Sequence, residues 1–204
     1  PYDFIRKRLS VLVSNDDNDI TLISKGALKN ILEVCTRIDD IENSSGFEIA
    51  KEKIEVLMQH YSEKGCRVLA VAYKSMPDRS EITATDECEL TFAGLLIFTD
   101  PPKANICHTI KNLNDLGIVL KIITGDNPLV AAAISKKVGF DNPRLMDAEQ
   151  LRQLSMPALT AQVNSIDVFA GVEPNQKERI IIALKNAGNV VGYIGDGIND
   201  ASAL

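Results

Sequence analysis

Ile118-Val119-Leu120-Lys121-Ile122-Ile123-Thr124-Gly125-Asp126-Asn127-Pro128 decides the fold of the second half of this chain. Ile118 to Ile123 is nearly all apolar, as a strand buried on both faces should be. Asn127 can cap a helix with Pro128 at its first position, and Gly139 stands beyond the end of that helix. Strand, polar turn and helix are therefore expected in that order. The rhythm continues downstream. A short helix starts at Asp147, with Gln150 placed to complete a capping box. Asp167 to Val172 reads as a strand leading into a helix opened by Pro174 and closed by Gly188. Val190 to Ile194 reads as a strand leading into Gly195-Asp196-Gly197-Ile198-Asn199-Asp200. Upstream, a helix from about Lys103 to Leu116 turns Ile106, Ile110 and Leu113 inward and stops at Gly117. Strands alternating with helices predict a parallel, doubly wound sheet.

The first half has a different character. Leu9–Ser14 and Ile20–Lys25 alternate partly, and Asn15-Asp16-Asp17-Asn18-Asp19 between them is a turn-forming cluster, so a hairpin is expected. A helix is predicted from about Ala27 to Thr36 on the spacing of Leu28, Ile31, Leu32 and Cys35. A second helix, from about Phe47 to Lys64, places Ile54, Leu57, Met58 and Tyr61 on one face and stops at Gly65. Arg67–Lys74 and Leu90–Phe98 read as strands joined by a polar loop. The two prolines of Asp100-Pro101-Pro102-Lys103 forbid strand continuation and stiffen the joint. A boundary here gives two domains: 1–99, antiparallel sheet plus helices, and 100–204, the parallel α/β part.

Composition narrows the function classes. With 204 residues, 45% hydrophobic and 25% charged, the chain suits a globular protein. No apolar run approaches the ~18–20 residues of a membrane span. A formal net charge of −6 argues against a general nucleic-acid binder. Cys35, Cys66, Cys88 and Cys107 lie far apart with no CxxC pair, which suits reduced thiols and no zinc site. The opening on Pro1-Tyr2-Asp3-Phe4, and a close at Gly195–Leu204 where a helix should be starting, predict a piece of something longer.

Ligands of parallel sheets bind beyond the carboxyl ends of the strands. The polar residues collect there: Thr124-Gly125-Asp126 after one strand, Lys177 on the first turn after another, and Asp196, Asn199 and Asp200 after a third. A hydroxyl and backbone N–H groups can cradle a phosphate, and a lysine can neutralise it. Two carboxylates ~4 Å apart repel by roughly 4 kcal/mol at an intermediate dielectric, a cost that Mg²⁺ removes. Each piece alone has a plainer reading. Thr-Gly-Asp is a common turn, Gly-Asp-Gly is another with Asn199 as a helix cap, and a lone lysine is usually solvated. The last motif also half-matches a dinucleotide fingerprint, but with Asp200 where a glycine belongs. A sheet with these loops lacks an aspartate nucleophile on its central strand. Asp17-Asn18-Asp19-Ile20-Thr21 fits D-x-D-x-T, the nucleophile pattern of haloacid dehalogenases, yet a strand follows at once, and aspartates are also expected in such a turn.

Taken together, Asp100–Lys103 (DPPK), Thr124–Asn127 (TGDN), Val172–Lys177 (VEPNQK) and Gly195–Leu204 (GDGINDASAL) resemble the P-type cation-transporting ATPases in order and spacing. Lys25–Ala27 (KGA) and the opening PYDFIRKRLSV resemble that family's nucleotide-binding domain, and KGALKNILEVC, TGDNPLVAAAI and VVGYIGDGIND look most like its magnesium-importing members. The resemblance covers nearly the whole chain. It implies a partial nucleotide-binding domain followed by a haloacid-dehalogenase-like phosphorylation domain that is incomplete, both cytoplasmic parts of a plasma-membrane pump. By position, it implies that Tyr2 stacks on adenine, that Lys25 and Gly26 line the same pocket, and that Lys7 and Arg67 approach the phosphates of ATP. Asp100, Pro101, Pro102 and Lys103 match the hinge. Thr124, Gly125 and Asp126 match residues around the transferred phosphate, and Lys177 the lysine that stabilises it. Asp196 matches the Mg²⁺ ligand, with Asp200 also assigned to the metal and Asn199 supporting the site. The implied partners are ATP, a transported cation, and the membrane helices and actuator domain of the parent.

There are departures. Tyr2 stands where the family usually has phenylalanine, Gly171 where an arginine is common, and Ser202 where a proline is usual. The chain has no DKTGT segment, which in this family carries the phosphorylated aspartate. A cation-translocating ATP hydrolase is therefore expected as the parent, with this fragment alone inactive. A soluble haloacid-dehalogenase-type phosphatase using Asp17 or Asp19, or a non-catalytic nucleotide sensor, remains open at this stage.

Overall fold

The Asn/Asp cluster after Ser14 closes a hairpin. In the computed structural model, which describes residues 6–16, 19–39, 44–77 and 79–195, the Asn15 N–H donates to the Asp19 carbonyl (3.2 Å) and the Asp19 N–H donates to Asn15 Oδ1 (2.8 Å). The turn joins β1 (Arg8–Ser14) to β2 (Ile20–Gly26), antiparallel from Ser14↔Ile20 to Arg8↔Gly26. The chain as a whole is mixed α/β and separates into two compact units, one within residues 1–62 and 66–99, the other within 63–65 and 100–204.

In the first unit the hairpin belongs to a five-stranded sheet. Its other members are β3 (Cys35–Ile38), β4 (Arg67–Ser75) and β5 (Leu90–Phe98), in the order β1-β2-β4-β5-β3. Only β3 runs parallel to its neighbour, β5; the other pairs are antiparallel. Successive strand residues face opposite sides. Leu22, Ala70, Ala72, Leu90 and Phe92 therefore form one buried face, closed by Leu28, Ile31 and Leu32 of α1 (Leu28–Leu32). Phe47, Ile54 and Met58 of α2 (Ser44–Glu63) pack on the same cluster. Leu57, expected on that stripe, is left 45% exposed.

The pairing of β4 with β5 contains a bulge. Val71 pairs with Gly94 and Ala70 with Leu95, but Ala72 pairs with Phe92, so Ala93 is an extra residue. Leu90 and Phe92 point into the core before it, and Leu95 packs on the core after it.

The expected helix over Ala27–Thr36 is half right. It stops at Leu32, and Cys35 starts β3 instead, pairing with Leu90. Cys35 is buried in the core either way. Burial pushes its thiol up to about 12, which leaves it protonated and inert.

The second unit is built on three parallel strands, β6 (Ile122–Ile123), β7 (Leu145–Asp147) and β8 (Val168–Ala170), in the order β6-β8-β7. Its helices are α3 (Ile106–Asp115), α4 (Pro128–Lys137), α5 (Ala148–Gln153), α6 (Met156–Gln162) and α7 (Pro174–Asn186). The central strand β8 is buried throughout, and its side chains divide between the two faces. Phe169 packs with Leu151, Leu159 and Ile180 from α5, α6 and α7, while Val168 and Ala170 pack with Ala131 of α4. Both faces of the sheet are thus covered by helices, which explains the unbroken apolar run in β8.

The caps follow the sequence. Asn127 Oδ1 accepts the Val130 N–H (3.0 Å). Asp147 Oδ1 accepts the Glu149 and Gln150 N–H groups, and Gln150 Oε1 accepts the Asp147 N–H. At Gly117, φ is +76°, so a residue without Cβ is what lets α3 end with the Ile118 N–H on the Leu113 carbonyl (2.9 Å).

Four features of this unit depart from expectation. Strand β6 is confined to Ile122–Ile123, leaving Ile118 and Val119 exposed. Residues 190–194 carry no regular element, and Val190 and Ile194 are 104% and 98% exposed. Apolar composition is not enough for a strand, which must also find a ladder partner. The short elements β7 and α6 leave no mark in the sequence, because their apolar residues are too few to show a period. Among the described residues, no helix is long and apolar enough to cross a membrane.

Phe169 fills the centre of the second unit's core and is fully buried. Phe169→Ala should destabilise that unit by roughly 3–5 kcal/mol, read as a lowered urea midpoint.

Candidate functional site

Because Leu22, Ser24 and Gly26 of β2 are buried on the core side, Lys25 is turned to the opposite face. The strand registers place Leu9, Lys25, Val71 and Gly94 in one row across β1, β2, β4 and β5. Leu9 and Val71 are half-buried and Lys25 is exposed. The space over Gly94 is open, with no atom within 4 Å of where a Cβ would lie. Arg67 shares this face further along β4, opposite Phe98, roughly 13 Å from Val71 at the usual strand rise. A partly apolar shelf with Lys25 set in it and Arg67 further along suits a planar base with an anionic tail.

Lys7 meets this row at its edge. Its backbone is left-handed (φ 51°), and its carbonyl accepts the Ala27 N–H (3.1 Å). The contact explains Gly26. A methyl group there would strike the Lys7 carbonyl oxygen and lie 2.8 Å from Arg8 Cβ. Of the residues expected at a nucleotide, Lys7, Lys25 and Gly26 therefore come together, and Arg67 shares the face at a distance. Tyr2 lies outside the described residues.

Behind this corner is a group that the sequence did not signal. Glu87, 6% exposed, accepts hydrogen bonds from Arg6 Nη1, from Arg8 Nε (2.6 Å) and from Ser10 Oγ (2.7 Å). Ser10 Oγ also lies 2.6 Å from Ser24 Oγ, so the network reaches from β1 to β2. Burial by itself would raise the Glu87 carboxyl, but the hydrogen bonds from Arg8, Ser10 and Arg6 outweigh it and hold the group below the ordinary glutamate value.

In the second unit, Thr124-Gly125-Asp126 follows β6 directly. The loop is stitched to the exit of β8: the Gly171 N–H donates to the Asp126 carbonyl (2.6 Å) and the Val172 N–H to the Thr124 carbonyl (3.1 Å). Thr124 Oγ1 donates to Asp126 Oδ2 (3.1 Å) and accepts the Asp126 N–H (3.1 Å). Lys177 sits on the first turn of α7, its N–H on the Glu173 carbonyl (3.2 Å). The start of that helix is anchored. Gln176, buried, donates from Nε2 to the Ala148 carbonyl (2.8 Å), and Arg179 donates to the Leu151 (2.8 Å) and Leu154 carbonyls. Thr124, Gly125, Asp126 and the Lys177 turn thus lie at the carboxyl ends of neighbouring parallel strands. Hydroxyl and carboxylate oxygens are the donors a hard cation takes, although no cluster of three or more His, Cys, Asp or Glu forms among the described residues. Asp196, Asn199 and Asp200 lie outside them. Asp100, Pro101, Pro102 and Lys103 are exposed and carry no regular element.

The D-x-D-x-T pattern falls in the β1–β2 hairpin. Asp19 is held there by Asn15, whose Nδ2 donates to Asp19 Oδ2 (3.3 Å); Asp17 lies outside the described residues.

The family model described as P-type ATPase, cytoplasmic domain N, matches residues 1–105. The chain belongs to the P-type cation ATPases. Its similarity to individual P-type ATPases runs over its whole length. It is 38% identical over 209 residues to Magnesium-transporting ATPase, P-type 1, of Salmonella typhimurium, and 39% identical over 206 residues to the protein of the same name from Escherichia coli K12. It is 32% identical over 209 residues to a Calcium-transporting ATPase of Bacillus subtilis. All of this chain is covered in each case, but only 23% of each of these P-type ATPases.

Two outcomes follow from the geometry. Gly26→Ala should push the Lys7 strand away and lose hydrogen-exchange protection at the Ala27 N–H, with the core amides of β4 unaffected. Because the Glu87 carboxyl is lowered, its contribution to stability is complete above the ordinary glutamate value of 4.5 and is lost as pH falls through the lower folded value. Glu87→Gln should therefore remove part of the stability loss seen below that pH in denaturant titrations.

Proposed function

We propose that this chain is the nucleotide-binding part, and a portion of the phosphorylation part, of an ATP-driven cation pump whose cargo is Mg²⁺. The observation that carries the reading is the row Leu9–Lys25–Val71–Gly94, which offers a partly apolar shelf with a lysine set in it. Adenine rests on that shelf beside Lys25 and Gly26, with Tyr2 stacking on the ring. Lys7 faces the phosphates as a point charge and Arg67 as a planar fork of donors. Membership of the P-type cation ATPases and the likeness to magnesium-transporting relatives support the assignment.

The second unit then acts as an incomplete haloacid-dehalogenase-like phosphorylation domain spanning 100–204, linked to the nucleotide domain, 1–99, through the Asp100–Lys103 hinge. Thr124 and Gly125 surround the phosphoryl group as it passes to the acceptor aspartate, Asp126 orients the Thr124 hydroxyl, and Lys177 balances the charge that builds on the phosphoryl oxygens. Asp196 and Asp200, supported by Asn199, would hold Mg²⁺, which supplies positive charge to the phosphate oxygens when bound. The acceptor aspartate, the actuator domain and the membrane helices come from the parent protein. The fragment by itself binds ATP without turning it over. The hairpin position of Asp19 supports this reading over a soluble phosphatase, since a turn aspartate held by Asn15 lacks a parallel strand end to present it.

Lys25→Ala should weaken binding of a non-hydrolysable ATP analogue by roughly tenfold, about 1.4 kcal/mol, measured by calorimetry. Unchanged affinity would count against the shelf as the nucleotide site.

A further inference from the structure

The Glu87 network has no place in the proposed function, yet it grips the segment that carries Lys7. Arg6 and Arg8 flank Lys7, and both donate to Glu87 Oε2, while Ser10 holds Oε1. Arg8 Nη1 also donates to the Asn30 carbonyl (3.2 Å), at α1. Lys7 is exposed between the two arginines and has the left-handed backbone that brings its carbonyl onto Ala27. One buried carboxylate therefore fixes the residues on both sides of a lysine whose own side chain is left at the surface. A carboxylate accepting charge-assisted bonds from two guanidiniums gives such a segment one geometry in place of many.

We propose that Glu87 is a positioning residue for nucleotide phosphates: by holding Arg6 and Arg8, it presents Lys7 at the phosphate end of the shelf. The inference rests on the nucleotide site proposed above. Its consequence is a preference for ATP over adenosine that is set partly by a residue never touching the ligand. Simple electrostatics predicts the opposite. Removing a negative charge near a phosphate site should, by Coulomb attraction alone, tighten ATP; loss of the Lys7 geometry should weaken it.

The test measures ATP and adenosine affinity by calorimetry for the 204-residue chain and its Glu87→Gln, Lys7→Ala and Lys25→Ala variants. The expected result is that Glu87→Gln and Lys7→Ala each weaken ATP by roughly three- to tenfold and leave adenosine unchanged, with no further loss in the double variant. Lys25→Ala should weaken both ligands. ATP binding that is unchanged or tighter in Glu87→Gln overturns the inference, as does an equal loss for ATP and adenosine, which would mark a purely structural role. If Glu87→Gln does not fold, Arg8→Gln leaves Glu87 with Arg6 and Ser10 and must show the same ATP-selective loss; full ATP affinity there also overturns the inference. A wild-type chain that binds neither ligand overturns the nucleotide reading itself, and one that binds both with Lys25 dispensable overturns the shelf alone.

Discussion

The two-residue period of β2 is the constraint on which the first unit depends. Leu22, Ser24 and Gly26 must go into the core, so Lys25 cannot. A slip of one residue in the pairing with β1 or β4 would bury the lysine and expose Leu22. The register is held from several sides: by Leu22 among the core residues, by the Ser10–Ser24 hydroxyl contact, and by the Lys7 carbonyl passing over Gly26. The surface row and the core are therefore one structural decision. Nothing has to be added to expose Lys25 except the burial of its neighbours.

The second unit solves a related problem by different means. Its strands are short, and β8 in the middle shares its residues between two helix layers, Phe169 to one side and Val168 and Ala170 to the other. The loops after β6 and β8 are then joined by backbone hydrogen bonds between residues 124–126 and 171–172. Rigidity at the strand ends comes from this stitching and from Gln176 and Arg179, which tie the start of α7 to carbonyls on and just beyond α5. The role proposed for Thr124–Asp126 would draw on such support, because groups held within a fraction of an ångström stabilise developing charge without first rearranging.

Much of this was legible in the sequence where local chemistry decides the outcome. The Asn/Asp cluster marks the hairpin, Asn127-Pro128 and Asp147–Gln150 mark helix starts, and Gly117 marks a stop. What could not be read depends on partners distant in the chain. Cys35 has helical spacing from Leu28, Ile31 and Leu32, but its pairing with Leu90 of β5 outweighs that local preference. Val190–Ile194 looks like a strand by composition, yet a strand is a relation between segments and not a property of one. Site residues divide in the same way. Lys7, Lys25, Gly26, Thr124, Asp126 and Lys177, the residues of the proposed site, stand in short motifs that the sequence displays. Glu87 lies 79 residues from Arg8 along the chain, and no local pattern connects them.

The bulge at Ala93 behaves as a phase shifter. Strand β5 enters the sheet with even-numbered side chains turned to the core, Leu90 and Phe92, and leaves it with the odd-numbered Leu95 on that side. Its far half is thereby inverted relative to its near half. Leu96 and Phe98 stand on the side of Lys25, where an unbroken ladder would have put Leu95 and Ile97. Loss of Ala93 would remove the bulge and reverse that choice, bringing Leu95 and Ile97 to the side of Lys25. The make-up of this surface is thus governed by the parity of a neighbouring strand as much as by its own side chains.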